Sequence, residues 1–516
     1  MKKPSLDLFE LIKKLTVQEV KHFRQYLRLQ ESNTQVLFEY LVKAVEYDES
    51  KIRKSILPGL NSNQFSVAKH YLYNTLLMYL MQRDQQQHSV WKIRTRLQML
   101  EVLFRKELFQ QCKKLMKSIE RAARQLDDPS LLKDVYLWQL KLADRLNHAV
   151  SEEEFMAIGD AFTENAKQDL ELSNQLWHYH EFFFLLRKNG VLRTVEAIGA
   201  EYQALFEGAT DPMESTDTSF AGRLTMQHAH STFMFMKGAA DEAYQGHLWI
   251  SGAMEDNPGW IALRPDIYLD AVFRLGVLAV GDCRFEEGAT ILQKIKKLKN
   301  KHGIQEGRLF FYQTQLERLI ILLTKKWTEL KPMVRRFEDD FERISPVMSR
   351  AELMTFYFNN SVALFNFGDL RGAKRRLNEL LNMPEVRENP DFLMISKLLL
   401  LLIAEQERDA DSFKYWHRVL YRLLNKRKGT FDFEQVLVSN LPKVFKSKTQ
   451  AKRDQSWKNL HACLVEASKQ GSGRAIHYFD FLSWVKAKAS GQNFEEIFGE
   501  KITKYMESKK GSSAES

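Results

Sequence analysis

Proline, glycine and cysteine are all scarce in this chain of 516 residues, and each scarcity narrows the structures that it can adopt. The chain has 11 prolines and 23 glycines, against abundant Leu, Lys, Glu, Gln and Arg, which favours a mostly helical protein. Its three cysteines lie far apart and form no C-x-x-C motif: Cys112, Cys283 and Cys463. We therefore expect reduced thiols that are buried as small apolar residues, which is the usual state in the cytosol.

Long apolar runs are missing as well. The longest, from Leu398 to Ala404, is far shorter than the roughly 20 residues that a membrane-spanning helix needs. The first residues are basic, but Asp7 and Glu10 interrupt any apolar segment of the kind that a signal peptide requires. The sequence thus predicts a cytoplasmic protein that does not insert into membranes.

Motifs of catalysis and metal binding are also absent from the sequence. It contains no G-x-x-x-x-G-K-[ST], no G-x-S-x-G and no H-E-x-x-H. The histidine pairs His178/His180 and His228/His230 are spaced by two residues, which turns the two rings about 200° apart on a helix. Neither pair can therefore hold one metal ion as histidines four residues apart do. We expect no enzyme activity, no cofactor and no metal site.

The residues that are abundant predict an ordered core and permit an acidic partner. Hydrophobic residues make up 44% of the chain and aromatic residues 12%, which excludes a wholly disordered protein. The formal net charge is +10. A charge of this sign is compatible with a nucleic acid, an anionic membrane surface or an acidic protein as partner, but spread over this length it requires none of them.

A repeated pattern runs through the second half of the chain. A bulky apolar residue, followed three positions later by a small or apolar one, recurs at intervals of 42 to 44 residues at Phe285/Gly288, Trp327/Leu330, Leu370/Ala373, Phe413/Trp416 and Trp457/Leu460. A looser version can be traced back through Phe109, Phe155, Leu192 and Ala240. A period near 43 with helical patterning is typical of stacked helix pairs, because one pair cannot bury its own apolar stripe. The pattern predicts an all-α fold, an α-solenoid of about nine helix pairs.

The residues around this pattern resemble the tetratricopeptide family over roughly residues 90–470. One stretch has a Gly368-Asp369 turn followed by Ala373, Leu377 and Leu380. Another has Leu275-Gly276 followed by Phe285, Gly288, Leu292 and Ile295. Two features depart from the family: the period is longer than 34, and Leu330 and Trp416 stand where the pattern has a small residue. The resemblance is specific for the fold rather than for a function.

The chain divides into three predicted segments. Residues 1–85 form an N-terminal helical cap, with a capping box at Thr16-x-x-Glu19 and a long helix over about 63–82. The polar residues 83–88 are the expected boundary, and the solenoid follows over residues 90–505. The Lys- and Ser-rich residues 506–516 are expected to be a disordered tail.

The resemblance implies that the first helix of each pair lines a concave groove that binds a peptide or a helix. On this register the groove contains His228, Asp270, Phe273, Tyr312, Gln315, Thr355 and Phe358. Aromatic side chains there suit an apolar or helical peptide, since they offer a large contact area at low entropic cost. The alternative is that long helices curl the solenoid tightly and these residues pack against each other. The leading function hypothesis is a non-enzymatic scaffold for an unidentified protein or peptide.

The second hypothesis is a nucleic-acid-associated regulator. The stretch 426–453 is dense in basic residues that could neutralise phosphates without a sequence code: Lys443, Lys446, Lys448, Lys452 and Arg453. The N-terminal helices around Pro58-Gly59 superficially resemble a helix-turn-helix, with Gln64, Ser66, Lys69 and His70 at the start of the second helix. The turn between these helices is longer than the usual one, which weighs against this alternative.

Overall fold

The structure is a computed structural model that describes residues 6–27, 32–87, 89–146, 150–189, 218–298, 304–366, 368–426, 432–468 and 479–514. Within these residues the regular structure is entirely helical, with 24 α-helices and no β-strand. The predicted all-α class is therefore confirmed. In the same ranges, no helix combines the length and the apolar character that crossing a membrane requires.

The N-terminal helices share one apolar core and are followed by four further helices. The first five are α1 (Asp7–Lys13), α2 (Val17–Leu27), α3 (Ser32–Lys43), α4 (Glu49–Lys51), which continues as a π turn over Ile52–Ile56, and α5 (Ser62–Gln87). The next four are α6 (Ser89–Arg105), α7 (Phe109–Leu126), α8 (Pro129–Leu146) and α9 (Glu152–Asn189). The central residues of the N-terminal core are Phe23, Leu27, Phe38, Leu41 and Leu72.

The central and C-terminal helices are shorter than α9. The central ones are α10 (Phe220–Lys237), α11 (Ala240–Asp256), α12 (Pro258–Leu263), α13 (Pro265–Gly281), α14 (Phe285–Lys297), α15 (Glu306–Leu323), α16 (Trp327–Ile344), α17 (Arg350–Asn366) and α18 (Leu370–Leu381). The last ones are α19 (Pro390–Glu407), α20 (Ala410–Lys426), α21 (Asp432–Phe445), α22 (Gln450–Ala467), α23 (Phe481–Ser490) and α24 (Phe494–Ala514).

The capping box at the start of α2 is confirmed, whereas the expected boundary at residues 83–88 differs. Thr16 N–H donates to Glu19 Oε2 at 2.6 Å, and Glu19 N–H donates to Thr16 Oγ1 at 3.3 Å. The polar residues 83–87 continue α5 instead of ending it. Arg and Gln are good helix formers, and Arg83 is held by an ion pair with Glu19 at 2.7 Å, so the polar composition alone does not interrupt the helix.

Consecutive helices pack in pairs, and the first helices of successive pairs also touch. Helix α10 packs against α11, α13 against α14, α15 against α16 and α17 against α18. In addition α13 contacts α15, α15 contacts α17, and α17 contacts α19. The repeated bulky residues Phe285, Trp327 and Leu370 are the first residues of α14, α16 and α18. The sequence period thus marks the start of three second helices, whereas Phe413 and Trp457 lie inside α20 and α22. Leu192 of the looser pattern lies outside the described residues.

One turn type joins two consecutive helices at six places in the described residues. A residue with positive φ, between 57° and 89°, lies two positions before the second helix at Glu107, Gly238, Cys283, Lys325, Gly368 and Arg408. The next residue donates its backbone N–H to the carbonyl five positions earlier, as from Arg284 to Ala279 at 2.8 Å and from Asp369 to Leu364 at 3.0 Å. This is the Schellman ending of an α-helix, in which a left-handed residue allows the last carbonyls to be bonded.

The C-terminal helices run back over earlier pairs. Phe365 packs against Trp484 with ring centroids 5.7 Å apart, and Trp327 packs against Phe498 at 5.9 Å. Tyr505 donates its hydroxyl hydrogen to the carbonyl of Gly281 at 2.8 Å. Nearest-neighbour stacking does not predict such contacts. They arise because Trp484 of α23 and two aromatic residues of α24, Phe498 and Tyr505, reach the helix ends of three earlier pairs. Helix α24 continues to Ala514, so the residues from 506 to 514 are helical where the sequence predicts a disordered tail.

The three cysteines are free thiols that differ in their exposure to solvent. Cys112 is buried, Cys283 is half-buried and Cys463 is exposed. The expectation of buried thiols is therefore correct for Cys112 and wrong for Cys463, which lies on the outer side of α22.

A candidate partner-binding face

The first helices of successive pairs bond to one another at equivalent positions. His228 Nε2 lies 3.0 Å from Asp270 Oδ2, and Tyr312 donates its hydroxyl hydrogen to Asp270 Oδ1 at 3.0 Å. One pair further on, Asn359 Nδ2 donates to Gln315 Oε1 at 2.7 Å. These partners are 42 or 44 residues apart, which is the period of the sequence. The structure thus brings together four of the predicted groove residues, and we call this set of contacts, from His228 to Asn359, the polar ladder.

Asp270 is the centre of the polar ladder. Arg274 Nε donates to Asp270 Oδ2 at 2.6 Å, and the two side chains are only 16% and 20% exposed. Burial acts to raise the pKa of Asp270, but Arg274 and His228 outweigh this effect and hold that pKa well below its usual value. Burial raises the pKa of Tyr312, and the charge of Asp270 raises it further. An ionised carboxylate therefore accepts from a neutral tyrosine and a charged guanidinium.

A tyrosine continues the polar ladder on the side of α9. The Tyr179 hydroxyl lies 3.0 Å from His228 Nδ1, so a hydroxyl, an imidazole and the carboxylate of Asp270 stand in line. Burial raises the pKa of Tyr179, which opposes formation of a reactive tyrosinate. Arg274 already neutralises the carboxylate. These contacts therefore hold helices α9, α10 and α13 in register. The raised pKa of Tyr179 and the neutralised charge of Asp270 do not activate a nucleophile.

His247 on α11 lies beside the polar ladder without joining it. Its side chain is completely buried, and neither ring nitrogen has a hydrogen-bond partner among the described residues. Burial lowers the pKa of His247 well below 6.5, and the positive charge of Arg274 acts in the same direction. His247 is consequently a neutral imidazole near pH 7. In the described ranges no three His, Cys, Asp or Glu side chains are grouped as metal ligands.

Arg318 is a half-buried cation of this face that has no acidic partner among the described residues. It stands 44 residues after Arg274, at the equivalent position of α15. Among the described residues its hydrogen bond is to Gln315 Oε1, and no carboxylate lies within ion-pair distance. Burial lowers the pKa of Arg318 to about 10. The guanidinium is therefore partly dehydrated, remains charged near pH 7 and has donors available for an anionic group.

The remaining predicted groove residues lie in three different environments. Phe273 and Tyr312 are half-buried and pack on each other with ring centroids 4.6 Å apart. Thr355 is half-buried, and its hydroxyl donates to the Ala351 carbonyl at 3.1 Å. Phe358 is only 1% exposed and belongs to the apolar core between α17 and α19, so its assignment to a binding surface is wrong. The period places a residue on a helix but leaves the rotation of that helix undetermined.

The basic stretch divides into exposed lysines and one structural arginine. Four lysines are exposed at the end of α21 and the start of α22: Lys443, Lys446, Lys448 and Lys452. Arg453 instead forms an ion pair with Glu405, whose side chain is completely buried. Arg453 therefore stabilises the fold and is not a free phosphate contact. Residues 427–431 of this stretch lie outside the described residues.

Three of the four expected recognition residues are exposed, namely Gln64, Ser66 and His70, whereas Lys69 is half-buried. Lys69 donates to the Tyr47 hydroxyl at 2.9 Å and pairs with Glu49 at 3.1 Å. Gln64 is the third residue of α5 and forms a capping box with Asn61. Each of the two donates its backbone N–H to the other's side-chain oxygen at 2.9 Å. Both side chains thus fix the start of α5. Comparison with known proteins gives no matching family model, curated protein or solved structure.

Sequence reasoning missed four residues of this face: Tyr179, His247, Arg274 and Arg318. A signal for the two arginines is present, because they are charged residues one period apart on successive first helices. Tyr179 and His247 carry no comparable signal, since their positions depend on how α9 and α11 pack.

Proposed function

We propose that this chain is an α-solenoid of tetratricopeptide-like helix pairs behind an N-terminal helical cap, and that it is a non-enzymatic scaffold for a protein partner. The recurring turn between the helices of a pair and the bonds between positions 42 to 44 residues apart support the stacking. A preformed face of this kind binds with little reorganisation, which is the advantage of a scaffold.

The observation that carries the proposal is Arg318. A guanidinium that is already partly dehydrated loses little further hydration when a carboxylate binds, and it can form two parallel hydrogen bonds with that carboxylate. Gln315 and Tyr312 precede it at three-residue steps on α15, and Tyr312 stacks on Phe273. The face therefore suits a partner segment that places an acidic side chain on Arg318 and an apolar one beside the aromatic pair.

The test is affinity capture from the native cell lysate with the wild-type chain and with Arg318→Gln, at low and high salt and with nuclease. The control is Lys446→Gln, which removes one positive charge from an exposed position outside the face. We expect a discrete protein that resists nuclease, is retained by Lys446→Gln and is lost with Arg318→Gln. Equal capture by Arg318→Gln and the wild type would contradict this assignment of the binding face.

The four exposed lysines favour a second candidate function, a nucleic-acid-associated regulator. Lysines that neutralise phosphates release counterions, so binding through these four should fall by a factor of about 10² between 50 and 200 mM salt. The charge reversal of Lys443, Lys446, Lys448 and Lys452 tests this role without disturbing the Arg453–Glu405 pair. Loss of captured partners with this variant and with nuclease would place the regulator first.

A further inference from the structure

Helix α20 and the end of α21 carry exposed cations that have no acidic partner. On α20, Lys414, Arg418 and Arg422 follow each other at steps of four residues, which places them on one side of the helix, and all three are exposed. The four exposed lysines from Lys443 to Lys452 add to this positive charge. None of these seven cations forms an ion pair with a described residue. We call the seven residues together the basic face.

Acidic side chains are scarce around the basic face. Within α20, α21 and the turn that leads to α22, the described side chains include one exposed acid, Asp411 in the first turn of α20. Glu434 of α21 is only 3% exposed, and the exposed positions of that helix before Lys443 hold the neutral Gln435 and Ser439. This part of the chain therefore does not neutralise its own cations, and its surface is complementary to a polyanion.

A row of nearly parallel aromatic rings runs along α20. Phe445 of α21 stacks on Phe413 of α20, with ring centroids 4.1 Å apart and an angle of 9° between the ring planes. His417 follows one turn later, with its ring centroid 6.2 Å from that of Phe413, and Tyr421 follows at 6.2 Å from His417. The angles between these successive planes are 11° and 22°. We call the four residues the aromatic row.

The aromatic row ends in an exposed ring beside the basic face. Tyr421 is 53% exposed, and the position one turn further on is Asn425, so no further ring of α20 continues the stack. Tyr421 stands three residues after Arg418, which makes the two side chains neighbours on the helix surface. Burial lowers the pKa of His417, and the charge of the nearby Lys446 acts in the same direction. The row therefore has cations of α20 and of α21 next to it.

A single-stranded nucleic acid matches both features of this surface. Its phosphates bind Lys and Arg side chains without a sequence code, and its unpaired bases stack on exposed aromatic rings. In a duplex each base is covered on both sides by its neighbours, so Tyr421 would gain no stacking partner there. An acidic polypeptide would use the cations but would leave the exposed ring without a role. The combination of ring and cations therefore favours the single strand.

We propose that the basic face binds single-stranded nucleic acid, with the phosphates on its cations and one base stacked on Tyr421. This inference rests on the second candidate function, which it narrows to one class of nucleic acid and extends from the four lysines to α20. Arg318 lies on α15, a first helix, whereas α20 is the second helix of its pair with α19. The two candidate sites can therefore be tested independently.

The stacking is tested with a fluorescently labelled, single-stranded oligothymidine, whose anisotropy is measured during titration with the full chain. We expect Tyr421→Ala to raise the dissociation constant about tenfold, and Tyr421→Phe to leave it within about a factor of two, because a phenyl ring still stacks. Tyr71→Ala is the matched control, since Tyr71 is a tyrosine of α5 that is 49% exposed. Unchanged binding by Tyr421→Ala, or an equal loss with Tyr71→Ala, overturns the proposal.

The contribution of the cations has its own test. Each phosphate contact with a single strand adds about 0.7 to the slope of log affinity against log salt concentration, so Arg418→Gln should reduce this slope by about that amount. Arg121→Gln, at an exposed position of α7, should leave the slope unchanged. Circular dichroism must show the same helix content for every variant, which separates loss of binding from loss of folding. An unchanged slope for Arg418→Gln removes α20 from the binding face.

Three further probes separate this inference from the second candidate function: a duplex of the same length, polyglutamate and anionic lipid vesicles. We expect each of them to bind at least about fivefold more weakly than the single strand, without dependence on Tyr421. Equal binding of duplex and single strand would leave the second candidate function in place and overturn this inference. Absence of binding to either nucleic acid overturns both. Tighter binding of polyglutamate or of the vesicles would assign the basic face to an acidic protein or to a membrane surface instead.

Discussion

The central helix pairs and helix α9 bury their apolar faces in different ways. Between residues 218 and 409 a left-handed turn recurs at Gly238, Cys283, Lys325, Gly368 and Arg408, and each turn returns the chain so that the next helix covers the previous one. Helix α9 continues for 38 residues without such a turn, and one of its faces stays exposed. Regular turns therefore bring successive helices together along the polar ladder, whereas one long helix leaves an apolar face exposed.

The largest expected effect breaks the polar ladder in the regular region. Asp270→Ala leaves the partly buried Arg274 without its carboxylate, and removal of one partner from a buried pair costs roughly 3 kcal/mol of unfolding free energy. Urea unfolding followed by circular dichroism measures this loss. Asp256→Ala, at an exposed position on α11, is the control and should change stability by at most about 0.5 kcal/mol. Equal stability of the two variants would show that Asp270 does not connect the helices.

A second prediction concerns the turns that distinguish the regular region. Gly368 has φ +76° with open space around it, so Gly368→Ala should cost about 1 kcal/mol through backbone strain alone. Cys283 has φ 63° without being glycine, so Cys283→Gly should stabilise the chain by about the same amount.

The same chemical change inside a helix gives the matched control for these turns. Gly252 lies in α11 with no atom within 4 Å of an added Cβ, so Gly252→Ala should stabilise by about 0.5 to 1 kcal/mol. Opposite signs for Gly368→Ala and Gly252→Ala in thermal unfolding are the expected result. If both changes stabilise, Gly368 does not adopt the left-handed conformation.

The smallest expected effect is a change of pH dependence. Folded His247 stays neutral because burial and Arg274 lower its pKa, while the unfolded chain binds a proton there below about pH 6.5. Stability from this group is thus present above that pH and lost as the pH falls. His247→Leu should flatten the decline of the melting temperature between pH 7 and pH 5. Gly252→Ala, which changes no titratable group, should leave the decline unchanged.

The helical class and the starts of the second helices could be predicted from the sequence, because apolar periodicity and residue propensities act locally. Phe285, Trp327 and Leu370 begin α14, α16 and α18 at the expected spacing. The direction of individual side chains could not be predicted. Phe358 turned out to be a core residue and Arg453 the partner of the buried Glu405, since both depend on how distant helices pack. The left-handed turns could not be recognised in the sequence, because Cys283, Lys325 and Arg408 adopt a positive φ without being glycines.

The candidate face was predicted in part for the same reason. His228, Asp270, Tyr312 and Gln315 follow from the period, which places equivalent positions of successive helices side by side. The unpaired state of Arg318 depends on which acids are near it in space, and the period carries no information about that.

The contact between equivalent positions is the central claim, and a double-mutant cycle on Gln315 and Asn359 tests it most directly. Equilibrium unfolding is measured for the wild type, Gln315→Ala, Asn359→Ala and the double variant. A direct hydrogen bond at 2.7 Å predicts a coupling energy of about 0.5 to 1 kcal/mol. Additive effects of the two changes would contradict the stacking of α15 on α17, because residues without contact have no coupling energy.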